Sequence, residues 1–107
     1  FYCGVDEFDF TSSPMHFENV DEDRYPCFKL ALCAAEKGGC YPCAASGGNE
    51  EAVKLFLAGK IKYTDIAKYI EAALSACENL SVTYENLAYT DFKARETVHR
   101  LYAAKAF

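Results

Sequence analysis

Apolar positions recur at helical spacing over most of this 107-residue chain, and at period two only near its start. The firmest pattern follows Thr64-Asp65. There Ile66, Tyr69, Ile70, Ala73, Leu74 and Cys77 fall at i, i+3, i+4, i+7, i+8 and i+11, which predicts an amphipathic helix. A second helix is predicted from Pro26, a good first-turn residue, to the stop at Gly38-Gly39. Its body from Cys27 to Lys37 is apolar almost all round (Phe28, Leu30, Ala31, Leu32, Cys33, Ala34, Ala35). A helix of that kind is usually enclosed by others, so this one is expected at the centre of the fold.

Asn49 reads as the N-cap of a further helix, with Glu50 and Glu51 complementing the positive end of its dipole. Val53, Phe56 and Leu57 form its stripe, and Gly59 supplies a left-handed stop. The pattern leaves open whether helix also covers Tyr41–Gly48, because Gly47 and Gly48 each weaken a helix by about 1 kcal/mol relative to Ala. The last helix is expected to start at Thr90-Asp91 after a connection from Glu78 to Tyr89, which holds at most one turn around Tyr84-Glu85-Asn86-Leu87. It places Ala94, Val98, Leu101 and Tyr102 on one face, with Asp91–Arg95 and Glu96–Arg100 as exposed i,i+4 pairs.

Residues 1–25 differ from the rest. Phe8-Asp9-Phe10 and Met15-His16-Phe17 alternate with period two and read as two short strands. Two isolated strands make no stable sheet, so they either lie across the helices or join a sheet in a neighbouring domain. Asp21-Glu22-Asp23 reads as a solvated turn leading into a helix. Taken together these elements predict an all-α fold. It is a small helical bundle or superhelix of about four helices, preceded by an extended N-terminal segment. The segment covers residues 1–22 and the helical domain residues 23–107.

Composition narrows the classes of function. The chain is 51% hydrophobic and 25% charged, an ordinary globular balance that suits a single packed core. A net charge of −5 argues against nucleic acid and against an anionic membrane as partners. No apolar run approaches the roughly 20 residues of a membrane span, and no signal peptide is evident. The first residues are Phe-Tyr-Cys, without an initiator Met, as expected of a piece cut from a longer chain. Six cysteines would make a disulfide framework in a secreted domain. Cys27, Cys33 and Cys77 fall instead on apolar helical positions, where a free thiol acts as a small hydrophobe, so reduced, cytoplasmic cysteines are expected.

Cys40-Tyr41-Pro42-Cys43 is the sharpest local motif. A redox role wants a preceding strand, and here a helix and two glycines precede it. A zinc site would need two more ligands, and neither the other cysteines nor His16 and His99 supply a paired short spacing. Two small side chains at a helix–loop corner account for the motif. A free-standing redox or zinc-binding helical module built on Cys40 and Cys43 stands as the alternative function. Gly47-Gly48-Asn49-Glu50 suits an N-cap better than a phosphate cradle, since Glu50 and Glu51 sit where an anion would bind. His16 and His99 lack a Ser, Cys or Asp partner at a diagnostic spacing, and read as surface or interface residues.

The stretch from Gly38 to Ile61 resembles the C-terminal region of 1-deoxy-D-xylulose 5-phosphate reductoisomerases. That family has a Leu-Asn-Ala-Ala-Asn-Glu run followed by an apolar helix. The same positions here are Ala45-Ser46-Gly47-Gly48-Asn49-Glu50, then Ala52-Val53 and Phe56-Leu57-Ala58-Gly59-Lys60-Ile61. Glu7-Phe8-Asp9-Phe10, Asp23 to Ala31, Thr64-Asp65-Ile66 and Asp91–Arg95 are similar to family segments in the same order. The chain departs from the family at Ser46, Gly47 and Gly48, and its Cys-x-x-Cys is not a family feature. The resemblance implies a parent enzyme of isoprenoid biosynthesis that uses NADPH and Mg²⁺ or Mn²⁺. It implies that the family's cofactor, metal and phosphate motifs lie upstream of these residues. On that basis no catalytic, cofactor or metal residue is assigned here. Residues 1–22 would lead out of the catalytic domain, and Ser46, Asn49 and Glu50 are expected at the interdomain contact. The partners implied are the catalytic and NADPH-binding domains of the same chain. Phe1, Tyr2, Phe8 and Phe10, parted from their sheet, would favour self-association.

Overall fold

The computed structural model describes residues 4–107 and contains four helices: α1 (Pro26–Lys37), α2 (Tyr41–Leu57), α3 (Asp65–Ala76) and α4 (Tyr84–Ala103). No strand occurs among the described residues. The all-α expectation holds, and the Phe8-Asp9-Phe10 and Met15-His16-Phe17 segments are extended or turning chain rather than sheet. Residues 4–25 are exposed throughout. They stretch the radius of gyration to 17.8 Å, against about 13 Å for a compact chain of this length. Of the residues expected to drive self-association, Phe1 and Tyr2 lie outside the described residues, while Phe8 and Phe10 are exposed and stack edge to face.

The entry to α1 follows the sequence reading. Asp21 Oδ1 accepts the Asp23 and Arg24 amides, a solvated turn that delivers the chain to Pro26. Gly38 closes the helix at φ +67°. The position of α1 does not follow it. Ala34 alone is buried on α1, Phe28 and Leu32 remain 44% and 41% exposed, and Cys27 and Cys33 are exposed thiols rather than buried hydrophobes.

The central helix is α2. It packs against α1, α3 and α4, whereas α1 touches only α2 and α3. Asn49 is not an N-cap, because helix begins eight residues earlier at Tyr41, with Pro42 in the first turn. Gly47 and Gly48 are therefore neither a cap nor a phosphate turn; both are buried in mid-helix. A methyl on Gly47 would lie 2.8 Å from Asp91 Oδ1, and one on Gly48 would lie 2.8 Å from the Ala73 Cβ. The intrinsic cost of glycine in a helix is thus accepted for close approach of two neighbouring backbones. Ala44, Ala73 and Ala94 complete this small-residue crossing of α2, α3 and α4. α2 ends as expected at Gly59, φ +73°, where the Gly59 amide donates to Phe56 O and the Lys60 amide to Leu55 O.

Beside the crossing lies the larger core of Ala52, Leu55, Ile66, Tyr69, Ile70 and Val98. The stripe expected for α3 is the one buried there. The Ala94, Val98, Leu101, Tyr102 face of α4 also packs inward, the last two residues partly buried. α4 starts earlier than the sequence suggested. Thr83 is its N-cap and accepts the Asn86 amide on Oγ1, so Tyr84 to Tyr89 are helical. The Asn86 amide group reaches back to Ser81 O and holds the short connection from α3 in place.

Candidate functional site

Three places on the domain are candidates for a site, two that gather polar or reactive groups and one that is an open cleft. The first is the α2–α4 seam. Arg95, expected in a simple exposed pair with Asp91, donates from Nε to Asp91, from Nη2 to Glu50 and from Nη1 to Glu51. Glu51 is only 7% exposed and also takes Lys54 Nζ at 3.1 Å and His99 Nε2 at 2.8 Å. The Arg95 guanidinium above all, with Lys54 and His99 behind it, holds the Glu51 carboxyl down to about 2. The same carboxylates push Arg95 further up. This cluster is saturated: each carboxylate is spent on a cation already in the fold. The Glu96–Arg100 pair does not form among the described ion pairs. The sequence signal for the seam was the Glu50-Glu51 pair itself, legible only once helix is known to run on both sides of it.

The second place is the Cys-x-x-Cys corner. Cys40 is wholly buried just before α2, and its thiol points at Leu80 O and Ser81 O, 3.7 and 3.8 Å away. Cys43 donates to Leu87 O at 3.4 Å. Burial, then the charge of Asp91, pushes the Cys43 thiol up, the opposite of what thiolate exchange needs. All five described cysteines are free, and no three His, Cys, Asp or Glu side chains among the described residues converge as a metal site would require. The corner ties the α3–α4 connection to the start of α2.

The third place is apolar. Between α1 and α2 lies a cleft of about 480 Å³, floored by Ala34 and Ile70, with Cys27 and Ala31 on one wall and Ser46 and Asn49 on the other. It opens past Phe28 and Asn49 into a wider one of about 900 Å³ between α1, α2 and α3, whose mouth carries Val20, Tyr25 and Tyr63. Of the three residues expected at an interdomain contact, Ser46 and Asn49 stand together on this cleft, exposed. Glu50 is turned to Arg95 on the α4 side. His16 is exposed on the N-terminal segment, remote from His99 in the α2–α4 seam.

Residues 3–97 match the family model described as the DXP reductoisomerase C-terminal domain. The 1-deoxy-D-xylulose 5-phosphate reductoisomerase of Nitrosomonas eutropha is 38% identical over 99 residues, 91% of this chain and 24% of that protein. The enzyme of the same name from Clostridium acetobutylicum is 45% identical over 78 residues, 72% of this chain and 20% of that protein. That of Cupriavidus necator is 38% identical over 106 residues, 97% of this chain and 27% of that protein. The chain thus spans about a quarter of the length of the curated relatives it matches. This four-helix chain belongs to the DXP reductoisomerase C-terminal domain family.

Proposed function

We propose that this chain is the C-terminal, non-catalytic helical domain of a 1-deoxy-D-xylulose 5-phosphate reductoisomerase and braces the rest of that enzyme. The observation that carries the reading is the family match over residues 3–97, joined to an α2–α4 seam and a Cys-x-x-Cys corner whose groups are already paired within the fold. The parent enzyme reduces and rearranges deoxyxylulose phosphate in isoprenoid biosynthesis, in the cytoplasm, with NADPH as hydride donor and Mg²⁺ or Mn²⁺ as Lewis acid. The metal ion does not fit the acidic cluster present here. The carboxylates of Glu50 and Glu51 are already paired with Arg95 and Lys54, and Glu51 is hydrogen-bonded to His99 as well. NADPH and the metal ion belong to parts of the enzyme that these residues do not include.

In this reading residues 1–22 are the linker from the catalytic domain and residues 23–107 the helical domain. Of Ser46, Asn49 and Glu50 on α2, the interdomain side takes Ser46 and Asn49, which share the exposed cleft, while Glu50 is turned to Arg95 on the α4 side. No described helix is long and apolar enough to cross a membrane. A direct test compares the longer polypeptide with this chain alone, each given deoxyxylulose phosphate, NADPH and Mg²⁺. Turnover by the longer polypeptide only is the expected result. Turnover by this chain alone overturns the non-catalytic assignment, and absence of turnover in both overturns the enzyme.

A further inference from the structure

A helix as apolar as α1 loses stability if it stays half in water, and among the described residues only α2 and α3 pack on it. Burial of a Leu or Phe side chain stabilises a fold, yet Phe28 and Leu32 keep close to half of their surface exposed, and Phe28 stands in both clefts. Exposed apolar side chains occur at several places on the domain, and Val20, Tyr25, Phe28 and Tyr63 among them gather at the two clefts. Tyr25, Phe28, Ala31 and Cys27 line one continuous trough with Val53 and Tyr63 facing them, the two clefts meeting at Phe28 and Asn49. A contiguous trough of this kind with polar groups set into its wall marks a contact surface rather than an idle one.

We propose that this trough is the seat of a segment of the same polypeptide that lies ahead of residue 1, apolar in its side chains and bonding through its polar groups to Ser46 and Asn49. The inference rests on the reading of the chain as a C-terminal domain, and it adds the face, the residues and the occupant. Three observations select an occupant in cis. The relatives carry about three quarters of their length outside the matched region, and the matched part is the C-terminal one. The exposed segment of residues 4–25 enters the domain at this trough, with Val20, Asp23 and Arg24 lining its mouth, so the preceding chain is tethered beside it. Such a tether raises the local concentration of an occupant to the millimolar range, about 1 mM or more for a short linker, far above what a free partner supplies. The α2–α4 seam, by contrast, is closed by Arg95 and its three carboxylates.

Cys27 and Cys33 supply the test without any foreign probe. Both are exposed on α1 in this domain, and only Cys27 lines the trough. In the longer polypeptide, native and at several concentrations, maleimide labelling of each is followed by peptide mass mapping and referred to its rate in denaturant. Occupancy makes Cys27 label at least about tenfold more slowly than Cys33, as for a site exposed only by local opening, at every concentration. Partial burial already pushes the Cys27 thiol up, so its rate is also compared with that in an Ala31→Gln chain. There a longer uncharged side chain crowds the trough from an exposed helical position and leaves the electrostatics alone. The variant is expected to release the protection.

Equal labelling of Cys27 and Cys33, or protection that Ala31→Gln leaves intact, overturns the proposal. Protection lost on dilution also overturns it and assigns the trough to a second copy. Turnover is read on the same samples. A protected Cys27 without turnover sinks the enzyme and keeps the trough; turnover with an open Cys27 does the reverse.

Discussion

Gly48 of α2 faces Ala73 of α3 so closely that a methyl group on Gly48 would lie 2.8 Å from the Ala73 Cβ. The Ala73 methyl is fixed to its helix and cannot swing aside. Helix propensity favours Gly48→Ala by about 1 kcal/mol, but overpacking a close helix crossing costs about 1–3 kcal/mol. The clash therefore wins. Urea unfolding of Gly48→Ala is expected to show a lower midpoint, and adding Ala73→Gly is expected to restore part of it. A Gly48→Ala protein as stable as the original would mean that the helices have room to separate.

Gly47→Ala has the same nominal clash distance and a different outcome. Its nearest atom is Asp91 Oδ1, the end of a side chain that can rotate away. The loss is the Asp91–Arg95 bond, one of three that Arg95 makes. Partly exposed ion pairs of this kind contribute about 0.2–1 kcal/mol, which the propensity gain offsets. Gly47→Ala is expected within about 0.5 kcal/mol of the parent in the same unfolding experiment.

These two glycines also show why the sequence was only half legible. α1 and α3 were bounded correctly because their punctuation is local: Pro26, Gly38, Thr64-Asp65 and a stripe at helical spacing. The first half of α2 was not, since Gly47-Gly48 reads as a propensity penalty until the neighbours that demand absent side chains are known. The start of α4 was missed because Tyr84 to Tyr89 are exposed or half-buried and show no core stripe. Its signal was the Thr83 cap. The placement of α1 failed for another reason: a helix apolar on all sides looks the same in sequence whether its cover lies within the chain or outside it. Ser46 and Asn49 lie in the segment that resembles the family run, and the trough they line depends on how α1 packs on α2, which no local pattern encodes.

Arg95 carries the α2–α4 seam. Replacing it with Met removes the charge and keeps most of the volume, leaving the nearly buried Glu51 with Lys54 and His99 alone. Breaking a fully buried pair costs about 3–5 kcal/mol. With Arg95 28% and Glu50 55% exposed, water repays part of that, so a loss of about 2 kcal/mol is expected. Glu50→Gln, at the exposed end of the same seam, is expected to be nearly neutral. Calorimetric midpoints of the two variants check the order, which a merely decorative surface cluster would not produce.

The seam also sets an acid limit. The folded Glu51 carboxyl lies near 2 against an ordinary value of 4.5. A group depressed on folding stabilises fully above its unfolded pKa, and that contribution is lost as pH falls towards the folded pKa. The thermal midpoint is expected to fall between about pH 5 and pH 2, more steeply than that of Glu51→Gln, whose amide does not titrate. Parallel pH profiles for the two proteins would place the acid sensitivity elsewhere.

The Cys-x-x-Cys corner gives the last prediction, and it separates packing from chemistry. Cys40→Ser keeps a donor towards Leu80 O and Ser81 O but shortens its reach and places a more polar atom in a site with no exposure. Cys43→Ser keeps its donor to Leu87 O at a half-buried site. A thiol pushed up by burial has no thiolate to lose, so the effect at Cys43 is structural alone. The Cys40 change is expected to cost about 1–2 kcal/mol through polar burial, and the Cys43 change less. Neither is expected to alter the zinc content of the longer polypeptide, measured by elemental mass spectrometry. Nor should either abolish its turnover under conditions where the variant remains folded. Stoichiometric zinc lost on Cys40→Ser would restore the cysteine module as the function of this domain, because packing at a helix–loop corner has no means of holding a metal.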